Sequence, residues 1–189
     1  MAAAHKAGQL RIIGGTWRGR KIDFATEPGV RPTPDRIRET LFNWLQASIG
    51  GARCLDLFSG SGALGFEALS RGAAEVVMVD QSSTVTKQLL ANASLLKANN
   101  AQIIQSNADR YLQRPPQPFD IVFLDPPFES QALEQYCAQL ASLQWLAPHA
   151  LIYMEREKGT PTPPLPDGWQ LHREKQTGKV TYALAIRGG

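Results

Sequence analysis

Cys54-Leu55-Asp56-Leu57-Phe58-Ser59-Gly60-Ser61-Gly62-Ala63-Leu64-Gly65 is the stretch on which the fold turns. A short apolar strand runs into a glycine-rich turn and then into a helix. Strand residues up to Phe58 belong in a buried sheet, while Gly60 and Gly62 let the backbone bend sharply and approach a ligand that no side chain obstructs. Gly65 then lets the helix pack close to the sheet. Such a turn presents unpaired helix N–H groups, which suit polar or anionic ligand atoms. A nucleoside-containing cofactor is the expected occupant. The same glycine pattern occurs in dinucleotide-binding folds and in βα turns that hold nothing, so its meaning depends on the residues downstream.

Outward from the turn, strand and helix patterns alternate. Strands are expected at 52–58, 75–80, 102–106, 119–125 and 150–155, with helices at about 63–71, 83–98, 109–113 and 131–145. This is the pattern of an α/β, Rossmann-like, doubly wound, mostly parallel sheet. Trp169 to Lys175 and Val180 to Ile186, joined by Thr177-Gly178-Lys179, read as an antiparallel hairpin closing the sheet edge. Upstream, Gln9 to Phe24 reads as two short strands around a glycine-containing loop, a small N-terminal β-hairpin extension. Pro28 to Pro34 is a rigid linker. Thr33 is the expected N-cap of a helix with Pro34 in its first position. Ile37, Leu41, Trp44, Leu45 and Ser48 form its inward stripe, and Arg36, Arg38 and Glu39 lie off that stripe, lining a site or facing water. The chain is therefore expected to divide into a basic hairpin extension over 1–30 and one α/β domain over 31–189.

A chain of 189 residues with 43% hydrophobic content has room for one well-buried domain with a small appendage. It has no apolar run of about 18 residues to span a bilayer, and Met1-Ala-Ala-Ala-His-Lys lacks the apolar centre of a signal peptide, so a cytoplasmic protein is expected. Cys54 and Cys137 are far apart in apolar settings and read as buried thiols. His5, His149 and His172 are scattered without ligand spacing and read as surface residues; no metal is expected. Charge is placed unevenly. Residues 1–38 hold eight basic side chains against three acidic ones, and the rest of the chain holds twelve against fourteen. A basic end on a nearly neutral body suits phosphate neutralisation, with Arg11, Arg18, Arg20 and Lys21 as contacts. Trp17, inside that cluster, either stacks on a base or packs on the body.

Ligands of such sheets sit at the carboxyl ends of the strands. Glu75 to Asp80 ends in a carboxylate that can accept both hydroxyls of a ribose, or cap the helix that follows. Ser106-Asn107-Ala108-Asp109 follows the next strand; Asp109 can accept from an adenine amine while Ala108 offers its backbone, and Asp109 can also cap a helix. The strand ending in Asp125-Pro126-Pro127-Phe128 points to the chemistry. Two prolines fix the backbone, so the Asp125 carboxylate and the Pro126 carbonyl can face one NH2 group while Phe128 stacks on the ring that carries it. An exocyclic amine has its lone pair delocalised into the ring, and two fixed acceptors favour its nucleophilic, pyramidal form in the transition state. No strong base is required, because the N–H proton becomes acidic once the nitrogen has bonded to an electrophile.

Asp56 to Gly65, Asp80 and Asp125-Pro-Pro-Phe128, in this order, resemble the class I S-adenosylmethionine-dependent methyltransferases that modify exocyclic amines. More closely, Arg11-Ile-Ile-Gly-Gly-Thr-Trp-Arg-Gly-Arg20, Arg31-Pro-Thr-Pro-Asp-Arg-Ile-Arg-Glu-Thr-Leu-Phe-Asn43 and Leu171-His-Arg-Glu-Lys175 resemble the RsmD family of 16S ribosomal RNA guanine-N2 methyltransferases, from about residue 9 to 186. The resemblance implies a seven-stranded sheet with a reversed final hairpin and S-adenosyl-L-methionine as donor. Asp56, Ser59, Gly60, Gly62, Asp80, Asn107, Ala108 and Asp109 would hold it. Asp125, Pro126, Pro127 and Phe128 would hold the target base. It also implies small-subunit ribosomal RNA as partner, naked or within an assembling 30S particle, with no membrane and no obligate protein partner. The residues alone leave open an adenine-N6 methyltransferase on DNA or RNA, a protein-glutamine methyltransferase and a non-catalytic RNA-binding assembly factor. An NAD-dependent oxidoreductase shares the glycine turn but has no use for Asp125-Pro-Pro-Phe128.

Overall fold

Apolar runs that recur between helical stripes cannot bury themselves singly; stacked side by side they form a sheet with helices on both faces. The computed structural model describes residues 8–27, 32–127 and 132–189 and has this architecture. Strands β1 (Gly8–Arg11) and β2 (Lys21–Phe24) form an antiparallel pair ahead of helix α1 (Asp35–Trp44). Then follow β3 (Arg53–Asp56), α2 (Ala63–Ser70), β4 (Glu75–Asp80), α3 (Ser83–Leu96), β5 (Ala101–Gln105), α4 (Ala108–Leu112), β6 (Phe119–Leu124) and α5 (Ala132–Ser142). Strands β7 (Leu146–Glu157), β8 (Trp169–Thr177) and β9 (Val180–Arg187) complete the chain. The main sheet has seven strands in the order β5-β4-β3-β6-β7-β9-β8. Strands β5 to β7 of that order run parallel, and β9 is antiparallel to both neighbours.

The order reverses at β3, which pairs with β4 on one side and β6 on the other. A crevice outside the carboxyl ends of β3 and β6 is the consequence. Alternation along the strands sorts the core in two. Cys54, Ile121, Phe123, Tyr153 and Tyr182 face α1, α2 and α3, whereas Leu55, Val122, Leu124, Ile152 and Met154 face α4 and α5. Leu10, Ile12 and Ile22 of the hairpin are buried in the first of these layers. Cys54 and Cys137 are both free and buried, and His149 and His172 are exposed. No helix among the described residues is long and apolar enough to cross a membrane.

Three local expectations are corrected. The N-cap of α1 is Pro34 rather than Thr33, with no side-chain cap; the Thr33 hydroxyl is buried and bonds the Glu155 carboxylate instead. A hydroxyl within reach of a buried carboxylate satisfies the costlier group. Arg38 does not face water: at 1% exposure it donates to the Thr33 and Arg11 carbonyls and to the Glu67 and Asp35 carboxylates. Strand β7 begins at Leu146, earlier than the expected 150. Gln144 with φ 61° ends the preceding turn, Trp145 is buried with its indole N–H on the Leu112 carbonyl, and an irregularity between the Phe119 and Ile121 pairings accommodates Pro148. A proline argues against a central strand unless it sits at such a break.

Candidate active site

The turn after β3 is held by its own side chains. Asp56 is buried and its Oδ2 accepts the Gly65 N–H at 3.2 Å, while Ser59 Oγ donates to the Asp56 carbonyl at 2.9 Å. Burial pushes the Asp56 carboxyl up to about 7, against the opposing pull of the Gly65 hydrogen bond. Gly62 begins α2 at φ 75°, and a Cβ there would lie 2.6 Å from the Leu89 Cδ2 and 2.8 Å from the Phe66 ring. A Cβ on Gly65 would lie 2.6 Å from the Met78 sulfur, so the close approach of helix to sheet excludes a side chain. Asp80 joins the turn to the next helix: its Oδ2 accepts the Gly60 N–H at 3.0 Å and its Oδ1 the Ser82 N–H at 2.9 Å. The cap of α3 is Ser82, whose side chain accepts from Val85, so Asp80 fixes the backbone ahead of the cap.

Asp56 gives the ligand-free protein a pH dependence with a definite sign. An unfolded Asp ionises near 4 and the folded one near 7, so the folded chain holds the extra proton between those values. Stability therefore falls as pH rises through that window, by up to about 1.4 kcal/mol per pH unit for this group. Thermal unfolding of Asp56→Asn between these limits should fall less steeply with pH than that of the wild type. Parallel slopes would contradict the assignment.

Beyond β5, Asn107 rather than Asp109 caps α4, its Oδ1 accepting the Arg110 N–H at 2.8 Å. Asn107 stands one residue before the helix, where the acceptor reaches the free N–H, whereas Asp109 lies within the first turn. Ala108 is buried. Asp109 is exposed and accepts from the side-chain amides of Gln135 and Gln139 at 3.3 and 3.4 Å and from the Tyr136 hydroxyl at 3.5 Å. Phe58 meets Tyr136 edge-on at 5.0 Å. Phe58, Tyr136 and Asp109 thus form one wall beside the glycine turn; α5 brings Tyr136 there, a placement no local motif announces.

Asp125 leaves the carboxyl end of β6 half-buried, with Pro126 buried and Pro127 exposed. Phe128 lies outside the described residues. Burial, then the charges of Glu155 and Asp56, hold the Asp125 carboxyl well above the ordinary carboxylate range. Glu155 is 4% exposed, and its Oε1 accepts the Tyr153 hydroxyl at 2.7 Å. Sequence reading passed over Glu155 and Tyr153, which are visible only as the alternating polar members of an apolar strand. Asp80 and Asp56 end β4 and β3, Asp125 follows the last residue of β6, and Glu155 lies two residues before the end of β7, so four adjacent strands bring carboxyls to this edge. Such a row suits a ligand rich in hydrogen-bond donors and positive charge. Among the described residues no cluster of His, Cys, Asp and Glu could hold a metal ion.

A family model described as "Conserved hypothetical protein 95" matches residues 10–186. Ribosomal RNA small subunit methyltransferase D of Escherichia coli K12 is 51% identical over 181 residues, covering 96% of this chain and 91% of that one. The Haemophilus influenzae protein of the same name is 49% identical, covering 94% and 93%. The solved structure of the Escherichia coli protein yhhF superposes with a TM-score of 0.90 at 50% identity, covering 96% and 99%. The chain belongs to the RsmD family. The fold is accordingly that of the class I, Rossmann-like methyltransferases.

In this RsmD-family chain the N-terminal basic residues do not behave alike. Arg11, Arg18 and Lys21 have exposed side chains, but the Arg20 guanidinium, although exposed, donates to the Leu95 carbonyl at 2.9 Å. Trp17 is half-buried against the core, with its backbone N–H on Ser70 Oγ at 2.9 Å, so of the two roles open to it the structure shows packing on the body. Glu67, fully buried on α2, accepts the Ile13 and Gly14 N–H groups at 2.9 and 2.8 Å, Arg71 Nε at 2.8 Å and Arg38 Nη1 at 3.3 Å. One carboxylate thereby joins the loop between β1 and β2 to α1 and α2.

Proposed function

We propose that this protein transfers a methyl group from S-adenosylmethionine to the exocyclic N2 of one guanine in small-subunit ribosomal RNA. The observation that carries the reading is Asp125-Pro126 at the carboxyl end of β6, beside the topological switch point, in a chain half identical to relatives named as ribosomal RNA small subunit methyltransferases. The donor set fits the cofactor: its ribose and adenine bring hydrogen-bond donors and its other end brings positive charge, and the row of carboxyls supplies acceptors. When bound, S-adenosylmethionine supplies a methyl group made electrophilic by its sulfonium charge.

The residues then divide the work. Asp80, whose oxygens each take one backbone N–H, has lone pairs left for two ribose hydroxyls. Asn107, Ala108 and Asp109 hold the adenine edge, with Phe58 and Tyr136 beside it. Asp56 and Ser59 keep Gly60 and Gly62 in the conformation that admits the ligand. Asp125 and the Pro126 carbonyl accept from the two N–H groups of the guanine amine, and Phe128 stacks on the base. Leaving the RNA stack costs the base a few kcal/mol, and aromatic stacking returns about 1–3 kcal/mol. Net affinity therefore comes from phosphate contacts by Arg11, Arg18, Arg20 and Lys21, with Trp17 supporting the loop that carries them.

Replacing Arg18, Arg20 and Lys21 together with Ala should weaken RNA binding and lower the slope of log affinity against log salt by about 2–3, with cofactor affinity unchanged. Filter binding across a salt series checks this. A triple variant with the wild-type slope would show that the basic loop is ordinary surface.

A further inference from the structure

The Asp125 and Glu155 carboxyls stand next to one another at the same edge. Strands β6 and β7 are parallel and in register at Leu124 and Met154, so Asp125, just past the end of β6, and Glu155, still within β7, follow side by side on the face that carries Phe123 and Tyr153. Adjacent strands lie about 4.8 Å apart. Around Glu155 are the hydroxyls of Tyr153 on its own strand and of Thr33 ahead of α1, Tyr182 directly across on β9, and Asp125 on β6. Asp56 on β3 adds a further acidic neighbour to Asp125. The adjacent cation, Arg156, is turned to the other side, where it bonds the Thr160 carbonyl, Thr162 and Glu174. Arg38, near Thr33, is committed to the Thr33 and Arg11 carbonyls, Glu67 and Asp35.

Resting on the methyltransferase reading, we propose that Asp125 and Glu155 form a charge-sensing pair: they hold one proton between them in the free protein, release it when the cationic sulfonium cofactor binds, and keep it with the neutral thioether product. Burial raises both carboxyls, but the Tyr153 and Thr33 hydroxyls donate to Glu155 and offset part of its rise, so Glu155 is the member that ionises first. Its charge, added to burial, keeps the proton on Asp125. Two like charges side by side, one buried and one half-buried, titrate as a unit, so a positive charge arriving nearby lowers the cost of the second ionisation and Asp125 becomes the acceptor that the amine requires.

The proton account then closes over one turnover. The proton on Asp125 goes to solvent as the sulfonium ligand binds. In transfer, the amine lone pair forms the N–CH3 bond, the C–S bond breaks with its electrons left on sulfur, and one amine N–H proton passes to Asp125. The pair again holds one proton beside a neutral thioether, as in the free protein. Glu155 is a positioning residue in this scheme; Asp125 touches the amine.

Titration calorimetry of the full chain with S-adenosylmethionine and with S-adenosylhomocysteine, each in phosphate and in imidazole, reads the protons exchanged from the difference in heat between buffers. It is run at about pH 6.5, below the ordinary range of an α-amino group, so that both ligands carry the same amine charge. Asp56 also carries a proton near this pH, so the response of the difference to Glu155→Gln is what assigns the proton to the pair. S-adenosylmethionine should release close to one proton more than S-adenosylhomocysteine. In Glu155→Gln, which takes the neighbouring charge away from Asp125, that difference should shrink while the ligand still binds. Equal release by the two ligands in the wild type overturns the pair without any variant, as does an undiminished difference in Glu155→Gln. Absence of binding by both ligands overturns the choice of donor, and the pair with it.

Discussion

Asp125→Ala should bind S-adenosylmethionine within a few-fold of the wild type and transfer methyl to RNA about a thousand-fold more slowly. The carboxyl follows the end of β6 ahead of Pro126 and Pro127, and in the proposed reaction it accepts from the amine as nitrogen becomes pyramidal and positive. Interactions stronger in the transition state than in the ground state act on the rate rather than on binding, and loss of one such fixed group costs on the order of 10²–10³ in rate. Asp125→Asn should fall between the two, because an amide oxygen still accepts one N–H without carrying charge. Single-turnover rates with saturating cofactor measure the effect. A rate within threefold of the wild type would remove Asp125 from the chemistry.

Glu67→Ala should be the most damaging single change to the fold. The carboxylate is fully buried and serves four donors, and its removal leaves the 1% exposed Arg38 guanidinium without its buried partner and orphans two backbone N–H groups. Breaking a buried ion pair from one side costs about 3–5 kcal/mol, more than most core truncations of similar size. Asp35 and the two carbonyls still hold Arg38, which places the expected loss near the lower end. With a slope of about 1–3 kcal/mol per molar urea, the midpoint should fall by at least about 1 M. Glu67→Gln, able to serve two donors through one oxygen, should lose less. A midpoint unchanged in Glu67→Ala would mean that the loop between β1 and β2 docks without it.

The parallel strands and the glycine turn could be read from the chain because their signals are local. Val76, Val77 and Val79 mark β4, and the glycine spacing after Asp56 marks the turn from β3 into α2. The positions of Asp56, Asp80 and Asp125 at strand ends were legible because the apolar run of each strand stops there. Arg38, Thr33 and Glu155 were not. Their partners are 29 residues away for the Arg38–Glu67 bond, and farther still for Thr33 and Glu155, so helical periodicity marks Arg38 as peripheral when tertiary packing makes it central. Propensity likewise favours Thr33 as a cap, but the buried carboxylate on β7 competes for the same hydroxyl. The early start of β7 was hidden by Pro148, which sits at an irregularity visible only in the pairing.

The central claim is methyl transfer to a guanine amine, and one measurement addresses it most directly. Tritiated S-adenosylmethionine is offered with small-subunit ribosomal RNA, both naked and as assembled particles from cells lacking this gene, and the labelled nucleosides are separated. Label in N2-methylguanosine is the predicted result, and the preferred form of substrate then says when in assembly the enzyme acts. Label in N6-methyladenosine, or no label from a protein that binds the cofactor, would contradict it.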